Sequence, residues 1–116
     1  KGNFSGLDSP PMKLETAQLE RVANLFRAFS EASRLAIVQE LKSGERSVSE
    51  IVDALPTSQA NVSKQLKLLY EAGVVSRRKE GTQVLYQIAD PMVFELCRLV
   101  CDKLNRDMMK PAKLKF

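Results

Sequence analysis

Apolar residues recur at helical spacing in five stretches of this chain and at strand-like density in two more, and their order predicts a fold. Over residues 16–29, Leu19, Val22, Ala23, Phe26 and Phe29 lie three or four positions apart, so they share one face of a first helix. Ser30 is placed to cap a second helix reaching about Lys42, with Leu35, Ile37, Val38 and Leu41 as its apolar surface and Gly44 at its exit. Ser47 followed three residues later by Glu50 is a capping-box pattern. It opens a short third helix, with Ile51, Val52 and Leu55 facing inward and Pro56 ending it.

Over residues 58–73, Val62, Leu66, Leu69 and Gly73 build another inward stripe, and Gly73 supplies the stop. Residues 74–80 and 83–88 are rich in β-branched and aromatic side chains, and Gly81-Thr82 between them suits a type II′ hairpin turn. Asp90 before Pro91 starts a last helix: the carboxylate caps free amides and proline is preorganised for the first helical position. Val93, Leu96, Cys97, Val100, Cys101, Leu104 and Met108 form its stripe. The expected fold class is mainly α with a small β part, a winged helix-turn-helix in the order helix, helix, helix, helix, strand, strand, helix. A domain this small lacks the core to bury the stripes of both terminal helices, which predicts a homodimer with those helices at its interface.

The fourth helix and the hairpin also carry the chemistry. Opposite the inward stripe stand Ala60, Lys64 and Lys67, with Asn61 and Ser63 on the flanks and Gln59 in the first turn. A helix entering a major groove needs this division, one face in the core and short polar and cationic side chains on the other. Gln and Asn can read adenine bidentately. A solvated surface helix would account for the lysines and amides equally well. The adjacent Arg77, Arg78 and Lys79 favour DNA, because three neighbouring cations call for an anionic partner.

With 116 residues the chain fits one compact domain, expected over 13–108 as a DNA-binding and dimerisation unit. Residues 1–12 read as a disordered arm or the remnant of an expression tag, with Met12 a candidate start, and 109–116 as a C-terminal tail. The net charge of +4 is modest. Its placement says more, since residues 58–88 hold five Lys/Arg against two Glu. No apolar run spans a bilayer and no leader is visible, so the expected location is cytoplasmic, with no membrane partner. In that reducing compartment the two cysteines rest as thiols.

The segments FRAFSEASRLAIVQEL at 26–41, SQANVSKQLKLLYEAGVV at 58–75 and RRKEGTQVLYQI at 77–88 resemble the ArsR/SmtB family of bacterial winged-helix repressors. The resemblance covers roughly residues 16–106. It implies a dimeric repressor whose two recognition helices enter successive major grooves of a palindromic operator, about one helical turn apart, and leave it when an inducer is sensed. Matched by position, Gln59, Asn61, Ser63 and Lys64 would touch the groove. Lys67, Arg77, Arg78 and Lys79 would contact phosphates, with Gln83 near the wing tip. Ser58 or Thr57 would cap the recognition helix, with phosphate donation as a second role. Tyr86 has two readings, a phosphate contact or packing within the wing.

The family's sensing sites do not carry over. The third helix, SEIVDAL at 49–55, has no thiol; the chain has no histidine; and residues 33–42 lack the cysteine that some relatives pair with one on the last helix. What remains is Cys97 and Cys101, four apart on one helical face with Cα atoms about 6 Å from each other. Two readings stay open. The pairs could meet across a dimer axis and hold a soft metal or metalloid, or oxidise, or they could serve only as small buried hydrophobes. No resident cofactor is expected otherwise. An enzyme fares worst, with no imidazole base, no glycine-rich phosphate loop and no serine elbow. The alternative from another class is a winged-helix interaction module that binds acidic protein or RNA without operator specificity.

Overall fold

The computed structural model describes residues 13–107 and 113–116. Five helices, α1 (Thr16–Ala28), α2 (Ala32–Glu40), α3 (Val48–Ala54), α4 (Gln59–Glu71) and α5 (Met92–Asp107), accompany a sheet of β1 (Arg46–Ser47), β2 (Val75–Glu80) and β3 (Gln83–Ile88). The strands are antiparallel in the order β1-β3-β2. This is the winged helix-turn-helix expected, with two local differences. The two-residue strand β1 was not anticipated; it is too short to show a period, and it exists because Arg46 and Ser47 pair with Tyr86 and Leu85 of β3. The second helix also starts later and stops earlier than its apolar spacing suggests. Ser30 does not cap it, because the Ser30 hydroxyl instead donates to the Arg27 carbonyl at the end of α1 (2.7 Å). Past Glu40 the chain tightens into a 3₁₀ turn, Leu41–Ser43.

Local chemistry fixes the other boundaries. The capping box is formed as read: the Glu50 amide donates to the Ser47 hydroxyl (3.2 Å), and the Ser47 amide donates to the Glu50 carboxylate (2.8 Å). At the end of α4 the Val74 amide donates to the Leu69 carbonyl and the Gly73 amide to that of Tyr70, a Schellman closure. That closure needs a left-handed residue, and Gly73 supplies it at φ 78°. Gly81 at φ 62° leads the hairpin turn, and Thr82 keeps a negative φ, as a type II′ turn requires. The Asp90 carboxylate accepts from the Met92 amide (2.9 Å), capping α5 as expected.

The core gathers Ile37, Val38 and Leu41 from α2 and its turn, Ile51 from α3, and Val62, Leu66 and Leu69 from α4, closed by Val74, Val75 and Tyr86. Each terminal helix joins it at one end, through Ala28 of α1 and Val93 of α5. On α1, Leu19 is 53% and Phe26 59% exposed, while Ala28 reaches the core. On α5 only Val93 and Cys97 are buried; Val100 and Leu104 of the expected stripe are exposed, as is Leu99, which the stripe omitted. Met108, residues 1–11, Met12 and residues 109–112 lie outside the described residues. The last four residues fold back rather than trailing away. The Leu114 amide donates to the Asn105 carboxamide oxygen (2.6 Å), the Asn105 amide donates to the Leu114 carbonyl (2.8 Å), and Phe116 packs half-buried on the core.

Candidate nucleic-acid interface

The sequence TSQANVSK begins α4 at Ser58, whose hydroxyl accepts from the Asn61 amide (3.1 Å). Ser58, not Thr57, is therefore the cap. The Thr57 hydroxyl accepts instead from the Asn61 carboxamide (2.9 Å). The inward face is Val62, Gln65, Leu66 and Leu69, all buried, which orients the remainder by geometry alone. Gln59, Ala60, Ser63, Lys64 and Lys67 are exposed along the other face, and Asn61 is half-buried between them. The lysines Lys64, Lys67 and Lys79 have no carboxylate partner among the described residues.

The wing arginines are less free. Arg77 pairs in register with Tyr86 and shares its side of the sheet. Its guanidinium lies 3.9 Å from the centroid of the Tyr70 ring, in the last turn of α4, so it ties the wing to α4. Tyr86 itself is buried and packs within the core, which favours the second of its two readings. Arg78 points to the opposite side. It donates to both oxygens of Glu45 (2.7 and 2.9 Å) and to Glu80 (3.1 Å). Because Glu45 leads into β1 and β3 lies between β1 and β2, this fork bridges the whole sheet.

That pairing sets a pH dependence. The hydrogen bond from Arg78, helped by its charge, holds the Glu45 carboxyl below the usual carboxylate range, and Glu45 in turn raises Arg78. A carboxyl depressed in the folded chain adds stability at pH above its ordinary value of about 4.3, and that contribution disappears as pH falls through the depressed value. We expect the protection factors of wing amides, taken against intrinsic exchange at each pH, to fall on acidification below about pH 4. In Arg78→Gln that fall should disappear, because a carboxyl with its ordinary value in both states adds no pH dependence; an unchanged fall would mean that the pair does not brace the wing.

On α5 the two cysteines differ. Cys97 is buried, and burial, with a smaller effect from Cys101, pushes its thiol up; Cys101 is half-buried. Among the described residues no group of three or more Cys, Asp or Glu side chains is placed to hold a metal ion. No described helix is long and apolar enough to cross a membrane.

This arrangement has close parallels in known proteins. A family model described as bacterial regulatory protein, arsR family, matches residues 32–77, from α2 into the wing. The SmtB homologue of Synechocystis, a transcriptional repressor, is 33% identical over 95 residues, 82% of this chain and 72% of that protein. The chain belongs to the ArsR family. The transcriptional repressor SmtB of Mycobacterium tuberculosis is 42% identical over 81 residues, covering 70% of this chain but only 57% of that protein. A homodimeric winged helix-turn-helix DNA-binding domain from Mycobacterium bovis, Mb0332, superposes with a TM-score of 0.71 at 31% identity, over 83% of this chain and 92% of that one. The ArsR family is one of DNA-binding transcriptional regulators, not enzymes.

In this ArsR-family chain, three further residues stand around the interface that the sequence did not single out. Gln65 is 4% exposed and Arg34 8% exposed, and together they reach Asn61. Gln65 was legible, since it follows Val62 by three and precedes Leu69 by four, which puts it on the inward stripe. Glu45, the partner of Arg78, lies 33 residues away from it and carried no local signal.

Proposed function

We propose that this chain is a homodimeric, sequence-specific repressor that binds a palindromic operator through α4 and the wing and leaves it on sensing an inducer. The observation that carries the reading is the outward face of α4, a capped helix on a rigid apolar base presenting Gln59, Ser63, Lys64 and Lys67 to solvent, with neither lysine paired to a carboxylate among the described residues. Gln59, Asn61, Ser63 and Lys64 act in the groove. Lys67 and Lys79 contact phosphates, with Ser58 at the helix start and Gln83 by the wing tip. Arg77 and Arg78 border the backbone, and Arg78 must exchange Glu45 and Glu80 for a phosphate to take part. The exposed apolar faces of α1 and α5 support pairing with a second copy, as in the homodimeric Mb0332 domain.

The inducer response rests on Cys97 and Cys101, the only thiols in the chain. Two copies would bring up to four thiols to one axis, enough for a soft metal or metalloid. Elevation of the Cys97 thiol weighs against rapid oxidation and leaves displacement of its proton by such an ion as the stronger reading.

Gln59→Ala should relax preference at one base pair of each half-site by about ten- to a hundredfold. Weak binding indifferent to sequence in the wild type would favour an interaction module instead. Operator release by arsenite, cadmium, persulfide and peroxide, compared between wild type and a Cys97→Ser, Cys101→Ser variant, tests the thiols. Identical release by both would reduce them to packing.

A further inference from the structure

A buried polar chain runs beneath the recognition helix. The Arg34 guanidinium donates to the Ala28 carbonyl (2.9 Å) and the Arg27 carbonyl (3.0 Å), at the end of α1, and to the Gln65 side-chain oxygen (2.8 Å). The Gln65 amide donates to the Asn61 carboxamide oxygen (3.2 Å) and, more distantly, to Glu31 (3.4 Å). The Asn61 amide then donates to the Thr57 hydroxyl (2.9 Å). Arg34 also lies 3.6 Å from Glu31, so its charge is compensated where it is buried.

The chain has a direction. A guanidinium is donor-only, so Gln65 must turn its oxygen to Arg34 and its NH₂ to Asn61; the flipped amide would set donor against donor. Asn61 is then fixed in turn, oxygen toward Gln65 and NH₂ toward Thr57. Each end of the Asn61 amide keeps one bonding capacity, a second N–H and a second lone pair. That is the donor and acceptor pair an adenine edge requires, and its handedness is set from the far end of the network.

We propose that Gln65 and Arg34 are positioning residues for base reading, holding the Asn61 carboxamide in a single orientation toward the groove. This rests on the DNA-reading assignment above and deepens it. Neither residue touches DNA. Both act through Asn61, and Arg34 anchors the arrangement to the end of α1.

The test measures base preference of the full chain on duplexes made from the DNA upstream of its own gene, with each half-site position randomised in turn. Asn61→Ala should relax discrimination at one base pair by about tenfold or more. Gln65→Leu, which fills the same buried space, should relax that same base pair by a smaller factor, and the double variant should lose no more than Asn61→Ala alone. Gln65→Glu still accepts from Arg34 but cannot donate to Asn61, so the Asn61 amide turns over and the preferred base changes. Thermal unfolding is recorded beside each variant, because a merely structural role lowers affinity for every duplex alike and leaves base preference intact. Unchanged preference in both Gln65 variants, losses that add in the double variant, or an Asn61→Ala protein with wild-type preference would each overturn the proposal. Wild-type protein that prefers no duplex at all would instead remove the DNA-reading assignment beneath it.

Discussion

A Phe26→Asp, Leu99→Asp variant is expected to fold, to sediment as a monomer, and to lose about a hundredfold or more of its operator affinity. Both side chains are 59% exposed in the single chain, so replacing them removes little from the core. In a dimer the same positions would be covered. Burying a large apolar side chain contributes about 1.5–3 kcal/mol, and a buried unpaired carboxylate costs more than that, so four new carboxylates should exceed what an interface of two helices can hold. The affinity loss follows from linkage: a preformed dimer delivers its second recognition helix at high effective concentration, and a monomer must recruit it from solution. Sedimentation as an intact dimer would place the interface elsewhere.

The second large effect concerns salt. Lys67→Gln with Lys79→Gln should reduce the slope of log affinity against log salt by about 3 to 4, since two lysines on each of two copies release counterions at about 0.9 per phosphate. Arg78→Gln should change the slope less than either lysine. Its guanidinium already holds Glu45 and Glu80, and a contact that exchanges carboxylates for a phosphate gains less than one made by a lysine with no carboxylate partner among the described residues. Equal slopes for Arg78→Gln and the lysine variants would mean that the duplex displaces Glu45 readily.

The contrast between these side chains shows what could be read from the sequence. Helix existence and order were legible because apolar spacing and caps are local: Ser47 with Glu50, Ser58, Gly73 and Asp90 each act within a few residues of themselves. The outward face of α4 followed directly, since Val62, Leu66 and Leu69 fix which side is buried. Long-range pairings were not legible. Strand β1 depends on a partner some 40 positions on, and the Arg34–Gln65 bond joins residues 31 apart, so neither has a periodicity to betray it. Ser30 shows a subtler failure, where a residue suited to one helix start was taken by the end of the preceding helix. On α5, spacing located one apolar stripe but not where the core ends along it. Cys97 is buried and Leu104, two turns on, is exposed, which periodicity alone cannot distinguish.

Cys97 and Cys101 therefore occupy the boundary between core and candidate dimer surface. A residue there can serve packing and sensing at once, because a second copy would both cover it and bring its counterpart near.

Everything proposed for this chain depends on two copies reading one duplex through α4. The most direct measurement is a titration of the full chain onto DNA from upstream of its own gene, following mass and affinity together, with a scrambled duplex of equal length alongside. Two chains should bind per site, with affinity at least about a thousandfold above the scrambled duplex at physiological salt and a steep salt slope. One chain per site, or equal affinity for both duplexes, would contradict it.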